Sequence, residues 1–170
     1  DELLPGTLTG YSLPVGDGTE RNRPAIRKAS KLLEQAGYTV SQGRLLDPSN
    51  NEVSFEILLR QGSSELKAIT NIYRETLKRL GVNVTISVID SAQYKERTNV
   101  YDFDMTYYRR GLSLSPGNEQ FLYWGSDGVT KFGSRNWMGI NSSAVEKMIE
   151  RMLTSPDRKD YISAVRALDR

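Results

Sequence analysis

The stretch VSFEILLRQGSSELKAITNIYRETLKRLGVNVTISV, residues 53–88, decides the fold expected for this chain. Apolar side chains alternate from Val53 to Leu59 and again from Val82 to Val88, which is the period of a half-buried β-strand. Between them, apolar residues recur at helical spacing: Leu66, Ile69, Tyr73, Leu77 and Leu80. A strand, a helix and a second strand in this order pair in parallel through a right-handed crossover. The sequence therefore predicts an α/β fold, a small sheet with a parallel βαβ core.

Outward from this unit, the sequence predicts flanking helices and one further strand. The helices are expected at 24–36, 64–80, 143–153 and 157–169, with a shorter one from Asp90 to about Asn99. Residues 41–52 read as a polar turn and residues 103–108 as a third strand. Residues 111–142 look irregular, and a structureless stretch of that length inside a domain tends to be functional. We expect an extended arm or loop at 1–21 and a single α/β lobe at 22–170.

The composition of the 170 residues excludes several kinds of chemistry. The chain contains no Cys and no His, which removes thiol nucleophiles, disulfides, the usual general base and the commonest metal ligand. A net charge of +2 offers little field for nucleic acid. No apolar run approaches the roughly 20 residues that a membrane-spanning helix needs. We predict no cofactor, no metal site and no enzymatic activity.

The only carboxylate pair that stands out is Asp102 and Asp104, two positions apart on the predicted third strand. Side chains at this spacing share one face of a strand, so the pair could hold a cation. The simpler interpretation is a pair of surface carboxylates. Because the pattern also starts at Asp1 and ends abruptly at Arg170, we expect a piece of a longer protein, with a trimmed natural C-terminus as the alternative.

Two long stretches carry a resemblance to a known family: YDFDMTYYRRGLSLSPGNEQFLYWGS at 101–126 and FGSRNWMGINSSAVEKMIE at 132–150. They resemble the C-terminal lobe of bacterial extracellular solute-binding proteins of family 5, the peptide- and nickel-type receptors of ABC importers. RPAIRKASKLLEQAGY and LKRLGVNVTISVIDSAQYKER resemble the helix and the βαβ joint that precede it, so the likeness spans about residues 21–168. Within the family, the chain is most similar to the periplasmic receptors for oligopeptides and murein peptides.

This resemblance implies one lobe, of the type II periplasmic-binding-protein kind, from a two-lobed receptor that closes over a peptide. It implies that the receptor captures oligopeptides or similar small solutes in the periplasm and delivers them to ABC permease subunits. Contact with the membrane would come only through the transporter, and a monomer is expected. The surface around 109–125 would face the other lobe, so in isolation it should be unusually exposed, apolar and mobile.

The resemblance also suggests where a ligand binds. In peptide-binding relatives the strand is followed by a Trp-x-x-Asp segment, whose Asp takes the terminal ammonium of the peptide. Here Arg110 stands at the Trp position and Ser113 at the Asp position. Two neighbouring guanidiniums, Arg109 and Arg110, suggest attraction of a carboxylate instead, since Arg holds carboxylates through two parallel hydrogen bonds. Solvated arginines at a strand end are the alternative, and at most one of the two is expected to point into a cleft.

Three further residues are ligand-binding candidates: Asn118, Trp124 and Asn136. A core position is the alternative for Trp124, and a turn position beside glycine is the alternative for Asn136. Two other functions compete with solute binding. The aromatic-rich loop 121–137 could bind a protein, or Asp, Glu, Lys and Tyr side chains could supply an enzyme's acid and base.

Overall fold

The computed structural model describes residues 22–111 and 113–169, so the arm predicted at 1–21 lies outside the described residues. Among them the chain divides into two compact units. The sheet unit comprises 22–97 and 102–108, and the helical unit comprises 98–101 and the described part of 109–170. That residues 22–170 act as a single lobe stays a prediction.

The elements follow one another along the chain with these bounds: α1 Arg23–Gln35, β1 Thr39–Ser41, β2 Arg44–Leu46, β3 Ser54–Arg60, α2 Ser64–Lys78, β4 Asn83–Ile89, α3 Ser91–Asn99, β5 Met105–Thr106, α4 Glu119–Trp124, a 3₁₀ turn Ser126–Val129, α5 Ser143–Leu153 and α6 Arg158–Asp169. All five predicted helices are present, with ends within two residues of those expected. No helix in the described ranges is both long enough and apolar enough to cross a membrane.

The predicted βαβ unit is confirmed. Strand β3 pairs with β4 in parallel over its whole length, from Ser54 opposite Asn83 to Arg60 opposite Ile89. Helix α2 connects them, and its start is capped by the Ser63 hydroxyl, which accepts a hydrogen bond from the Leu66 amide. The sheet is completed by β5 in the order β4-β3-β5.

The core of the sheet unit lies between this sheet and its helices. Its buried members are all aliphatic: Leu45, Ile57, Leu59, Val82 and Val84. Two residues predicted on the inward stripe of α2 do not belong to it, because Ile69 is 57% and Tyr73 is 44% exposed. Thr70 is buried instead, with its hydroxyl bonded to the Leu66 carbonyl. Helical periodicity predicts the apolar face of a helix, but it does not show which part of that face packs against another element.

The prediction of a half-buried strand at 53–59 is wrong at its carboxyl end. Ile57, Leu58 and Leu59 are all buried, and Leu58 is completely inaccessible. The two edges of β3 are paired with β4 and β5, and the burial of three consecutive side chains means that neither face of the strand is left to solvent there. The hydroxyl of Thr106 on the neighbouring strand donates to the Leu58 carbonyl at 2.7 Å.

The third strand is shorter than predicted, since only Met105 and Thr106 of residues 103–108 pair with β3. Its start is limited by Asp104, whose carboxylate accepts from the backbone N–H of Glu56 at 2.8 Å, where a strand carbonyl would otherwise bond. Asp102 binds the Nε of Arg97 at 2.8 Å. The two carboxylates are therefore engaged separately, and no cluster of three acidic side chains suited to a metal occurs among the described residues.

The polar turn predicted at 41–52 is also partly wrong. Strands β1 and β2 form an antiparallel hairpin there, joined by Gln42 and Gly43, which both have positive φ as in a type I′ turn. Leu45 on β2 is 2% exposed and joins the core of the sheet unit. This strand could not be predicted from the sequence, because three residues are too few to show an alternation of apolar and polar side chains.

The helical unit is built on α5 and α6. Ile149, Met152 and Ala164 are buried between them, and Trp124 and Tyr161 pack against this cluster. The stretch predicted as irregular at 111–142 contains α4 and the 3₁₀ turn, so it is only partly irregular. These elements are too short for periodicity to reveal them.

Candidate functional site

The candidate site of the helical unit centres on Arg110. Its guanidinium carbon lies 4.1 Å from the centre of the Tyr123 ring and 5.1 Å from that of Trp124. We call these two rings, which follow one another at the end of α4, the aromatic platform. An arginine stacked on aromatic faces gains a favourable cation–π interaction and loses freedom of rotation. The helix end therefore fixes the position of the guanidinium.

The Nη1 atom of Arg110 is buried and has no hydrogen-bond acceptor among the described residues. Arg110 as a whole remains partly exposed. A buried charged donor without an acceptor is unfavourable, and buried polar groups are normally satisfied. This unpaired donor distinguishes Arg110 from the other arginines in residues 22–111 and 113–169.

A chain of hydrogen bonds holds the platform. The indole N–H of Trp124 donates to Gln120 Oε1 at 3.0 Å, and Gln120 Nε2 donates to Glu119 Oε1, also at 3.0 Å. The same Glu119 oxygen accepts from the Gly117 amide at 2.9 Å. This bond from Gly117 is the main cause that lowers the pKa of Glu119, and the charge of Arg110 lowers it further. Glu119 is thus held ionised, with Oε1 engaged within its own helix turn.

A second arginine reaches the platform from the loop that follows the 3₁₀ turn. Arg135 Nη1 donates to the Tyr123 hydroxyl at 3.3 Å, and its guanidinium carbon lies 5.8 Å from the same ring. Sequence reasoning missed both Tyr123 and Arg135. The adjacent aromatic residues in YWGS were the only local signal, because the contact with Arg110 spans more than ten residues.

The structure places the other predicted residues as follows. Arg109 and Asn118 are exposed, and Asn118 precedes α4 without capping it through its side chain. Ser113 lies in a local turn in which its hydroxyl accepts from the Ser115 amide and donates to the Ser115 carbonyl. Only Arg110 and Trp124 of the predicted set are brought together. A binding role for each of these residues stays a prediction.

Asn136 is completely buried. Its amide donates to the carbonyls of Gly125 at 3.1 Å and Ile140 at 2.8 Å, and its Oδ1 accepts from the Ile140 amide at 3.0 Å. With both ends of the amide engaged by backbone groups, this geometry favours the turn position that was the alternative to ligand binding.

The segment 109–125 carries the exposed apolar surface expected of it. Leu114 is 92%, Leu122 54% and Phe121 37% exposed. Trp124, in contrast, packs against the cluster of α5 and α6, as in the alternative of a core position. These three exposed side chains lie within nine sequence positions, and the mobility expected of this surface stays a prediction.

Comparison with known sequences identifies the family. The profile of bacterial extracellular solute-binding proteins, family 5 Middle, matches residues 2–132. A Brucella melitensis protein named only as a binding protein is 43% identical over the whole chain. Agrobacterium fabrum has a peptidoglycan-binding protein, YepA, that is 36% identical over 99% of the chain. The chain spans 27% of the length of each of these two relatives.

Solved structures show the same fold at low sequence identity. A Thermotoga maritima oligopeptide-binding protein, solved with mannohexaose, covers 98% of this chain with a TM-score of 0.79 and 18% identity. The Bacillus subtilis protein AppA, solved with a nonapeptide, covers 84% with a TM-score of 0.72 and 24% identity. The match occupies 31% and 28% of those chains. The fold is therefore that of a type II periplasmic binding protein, as predicted, and the chain belongs to family 5 of the bacterial extracellular solute-binding proteins.

Proposed function

We propose that the full-length protein is the solute-binding component of an ABC importer and that it captures oligopeptides in the periplasm. Capture would occur by closure of two lobes, and delivery would be to permease subunits in the membrane. The observation that carries the proposal is the family profile match across 131 of the 170 residues, together with the parallel βαβ fold. The family consists of binding proteins and not of enzymes.

Relatives support peptides as the solute class. At 34% and 36% identity, two Agrobacterium fabrum proteins carry the names probable peptide-binding protein YejA and peptidoglycan-binding protein YepA. The fold alone does not specify a ligand, because structures of this fold were solved with a nonapeptide and with mannohexaose. The peptide assignment therefore depends on sequence likeness.

A binding experiment on the full-length protein tests the proposal. The protein is purified from the periplasmic fraction, the solutes it carries are released by denaturation, and mass spectrometry identifies them. Calorimetric titration with the peptides found should give micromolar or tighter affinity. Release of sugars or metal chelates without any peptide would overturn the peptide assignment while leaving the importer role.

The protein-interaction alternative for residues 121–137 is not favoured. Part of that segment folds as α4 and the 3₁₀ turn, and its Trp124 packs inside the helical unit. Membership in a family of solute-binding proteins supports the binding of small solutes, and it gives no support to a loop that docks a protein.

A further inference from the structure

We propose that Arg110 receives a carboxylate group of the ligand, so that the solutes of this protein are peptides with a free carboxylate at that point. This inference deepens the proposed function and rests on it. Arg110 provides the recognition, and the aromatic platform of Tyr123 and Trp124 holds its guanidinium in place.

The positive charge of Arg110 is offset within the described residues only by the nearby charge of Glu119. No ion pair there includes it, and its buried Nη1 lacks any acceptor. The acidic residue whose charge it feels is Glu119, yet Oε1 of that carboxylate is engaged by the Gly117 amide and the Gln120 side chain. A buried, charged donor is stabilised only when an acceptor completes it. A carboxylate of the ligand would supply the acceptor that Nη1 lacks.

The geometry favours a planar oxyanion. The N–H groups of a guanidinium lie in its plane, so stacking of its face on aromatic rings does not use them. They can bond a carboxylate through two parallel hydrogen bonds. Arg135 adds a second positive charge on the Tyr123 ring, which increases the attraction for an anion. A terminal ammonium would be repelled at this position.

Arg110 rather than Arg109 carries this role. The two are sequence neighbours, but Arg109 is exposed, whereas Arg110 is partly buried and stacked. An exposed arginine is hydrated and flexible, so it contributes little to the affinity for a ligand. A stacked arginine has already lost that freedom before the ligand arrives.

The test uses the full-length protein and four peptides titrated by calorimetry: Ala-Glu-Ala, Ala-Gln-Ala and the C-terminal amide of each. The set removes the side-chain carboxylate and the terminal carboxylate independently. The variants are Arg110→Gln, Arg110→Lys and the control Arg27→Gln, which removes one charge from the exposed face of α1. Thermal unfolding of each variant without peptide is measured in parallel.

We expect Arg110→Gln to weaken binding of the carboxylate-bearing peptides about tenfold to a hundredfold, the range for a hydrogen bond to a charged group. The amide of Ala-Gln-Ala, which has neither carboxylate, should lose almost no affinity. If the loss disappears when Glu is replaced by Gln, Arg110 binds the side-chain carboxylate. If it disappears on amidation, Arg110 binds the terminal carboxylate. Arg110→Lys should recover only part of the affinity, because lysine does not offer the planar pair of donors. Unfolding temperatures and Arg27→Gln should match the unaltered protein.

An equal loss for all four peptides, or no loss, would overturn the role of Arg110 while the peptide-binding function stands. A lower unfolding temperature with equal losses would assign Arg110 to the stability of α4. Failure of the unaltered protein to bind any of the four peptides would overturn both the peptide assignment and this inference.

Discussion

The sheet unit and the helical unit are held together by different kinds of buried groups. In the sheet unit the buried cluster is entirely aliphatic and lies between the sheet and its helices. In the helical unit, the small apolar cluster of α5 and α6 is accompanied by two buried amides, Gln120 and Asn136, that bond to loops and to the aromatic platform. The sheet unit therefore gains its stability from the burial of apolar surface, whereas the helical unit also needs buried polar groups that fix the backbone of its loops.

The largest effect should come from the second buried face of β3, where Leu58 lies. Replacing Leu58 by Ala removes a completely buried side chain and leaves a cavity, so the free energy of unfolding should fall by about 3–4 kcal/mol. Urea denaturation measures it. The matched control is Leu32→Ala on α1, where the side chain is 56% exposed and the loss should stay below about 1 kcal/mol. Equal losses would mean that the Leu58 side chain is not buried in solution.

The polar core should respond next. Asn136→Ala leaves the carbonyls of Gly125 and Ile140 and the amide of Ile140 without this partner, and we expect a loss of about 2–3 kcal/mol in the free energy of unfolding. Asn141→Ala, at an exposed position nearby, is the control and should change stability little. A near-neutral Asn136→Ala would show that the loop does not need its buried amide.

The packing around that amide offers a finer test. A Cβ added at Gly128 would lie 2.7 Å from the Cβ of Asn136 and 3.1 Å from the Ser134 hydroxyl. Gly128→Ala should therefore cost about 1–2 kcal/mol of stability through overpacking. Gly111→Ala, where an added Cβ meets nothing within 4 Å, serves as the control. If Gly128→Ala were harmless, the loop would be loosely packed and the contrast between the units would weaken.

The smallest effect concerns the rim of the sheet unit. Glu56 binds Arg97 Nη2 at 2.6 Å, and this hydrogen bond is the main cause that lowers the pKa of Glu56 below its ordinary value near 4.5. The ion pair therefore stabilises the fold at neutral pH, and this stabilisation is lost as the pH falls below about 4.5 and Glu56 becomes protonated. Glu56→Gln should lower stability at pH 7 by less than about 1 kcal/mol.

Unfolding of Glu56→Gln measured between pH 7 and pH 3 should show a flatter profile than that of the unaltered protein. Glu75→Gln, at an exposed ion pair on α2, should leave the profile as it was. A profile unaffected by Glu56→Gln would mean that the bond to Arg97 does not persist in solution.

Much of the sheet unit could be predicted because its signals are local. The alternation in β4 and the cap at Ser63 depend on residues close together in sequence, and the single helix between the strands requires parallel pairing. The hairpin of β1 and β2 was missed for the opposite reason, since its Leu45 is buried by residues far along the chain.

The candidate site was predicted only in part. The resemblance drew attention to Arg110 and Trp124, but their stacking depends on the position of α4, which no periodicity indicates. For Asn136 the sequence left a ligand role and a turn role open, and the hydrogen bonds from its amide to the carbonyls of Gly125 and Ile140 favour the turn. Short elements and loops are positioned by tertiary contacts rather than by propensity.

The sequence by itself determined the α/β class, the five longer helices, the parallel pairing of β3 with β4 and the family. These depend on the spacing of apolar side chains and on motif order, which are properties of neighbouring residues. Only the tertiary structure decided that Leu58 is buried on the second face, that Asp104 takes the place of a strand carbonyl, and that Arg110 stacks on the aromatic platform with an unpaired donor. Each of these depends on groups distant in sequence, because burial and hydrogen bonding are set by whichever residue the folded chain brings nearby.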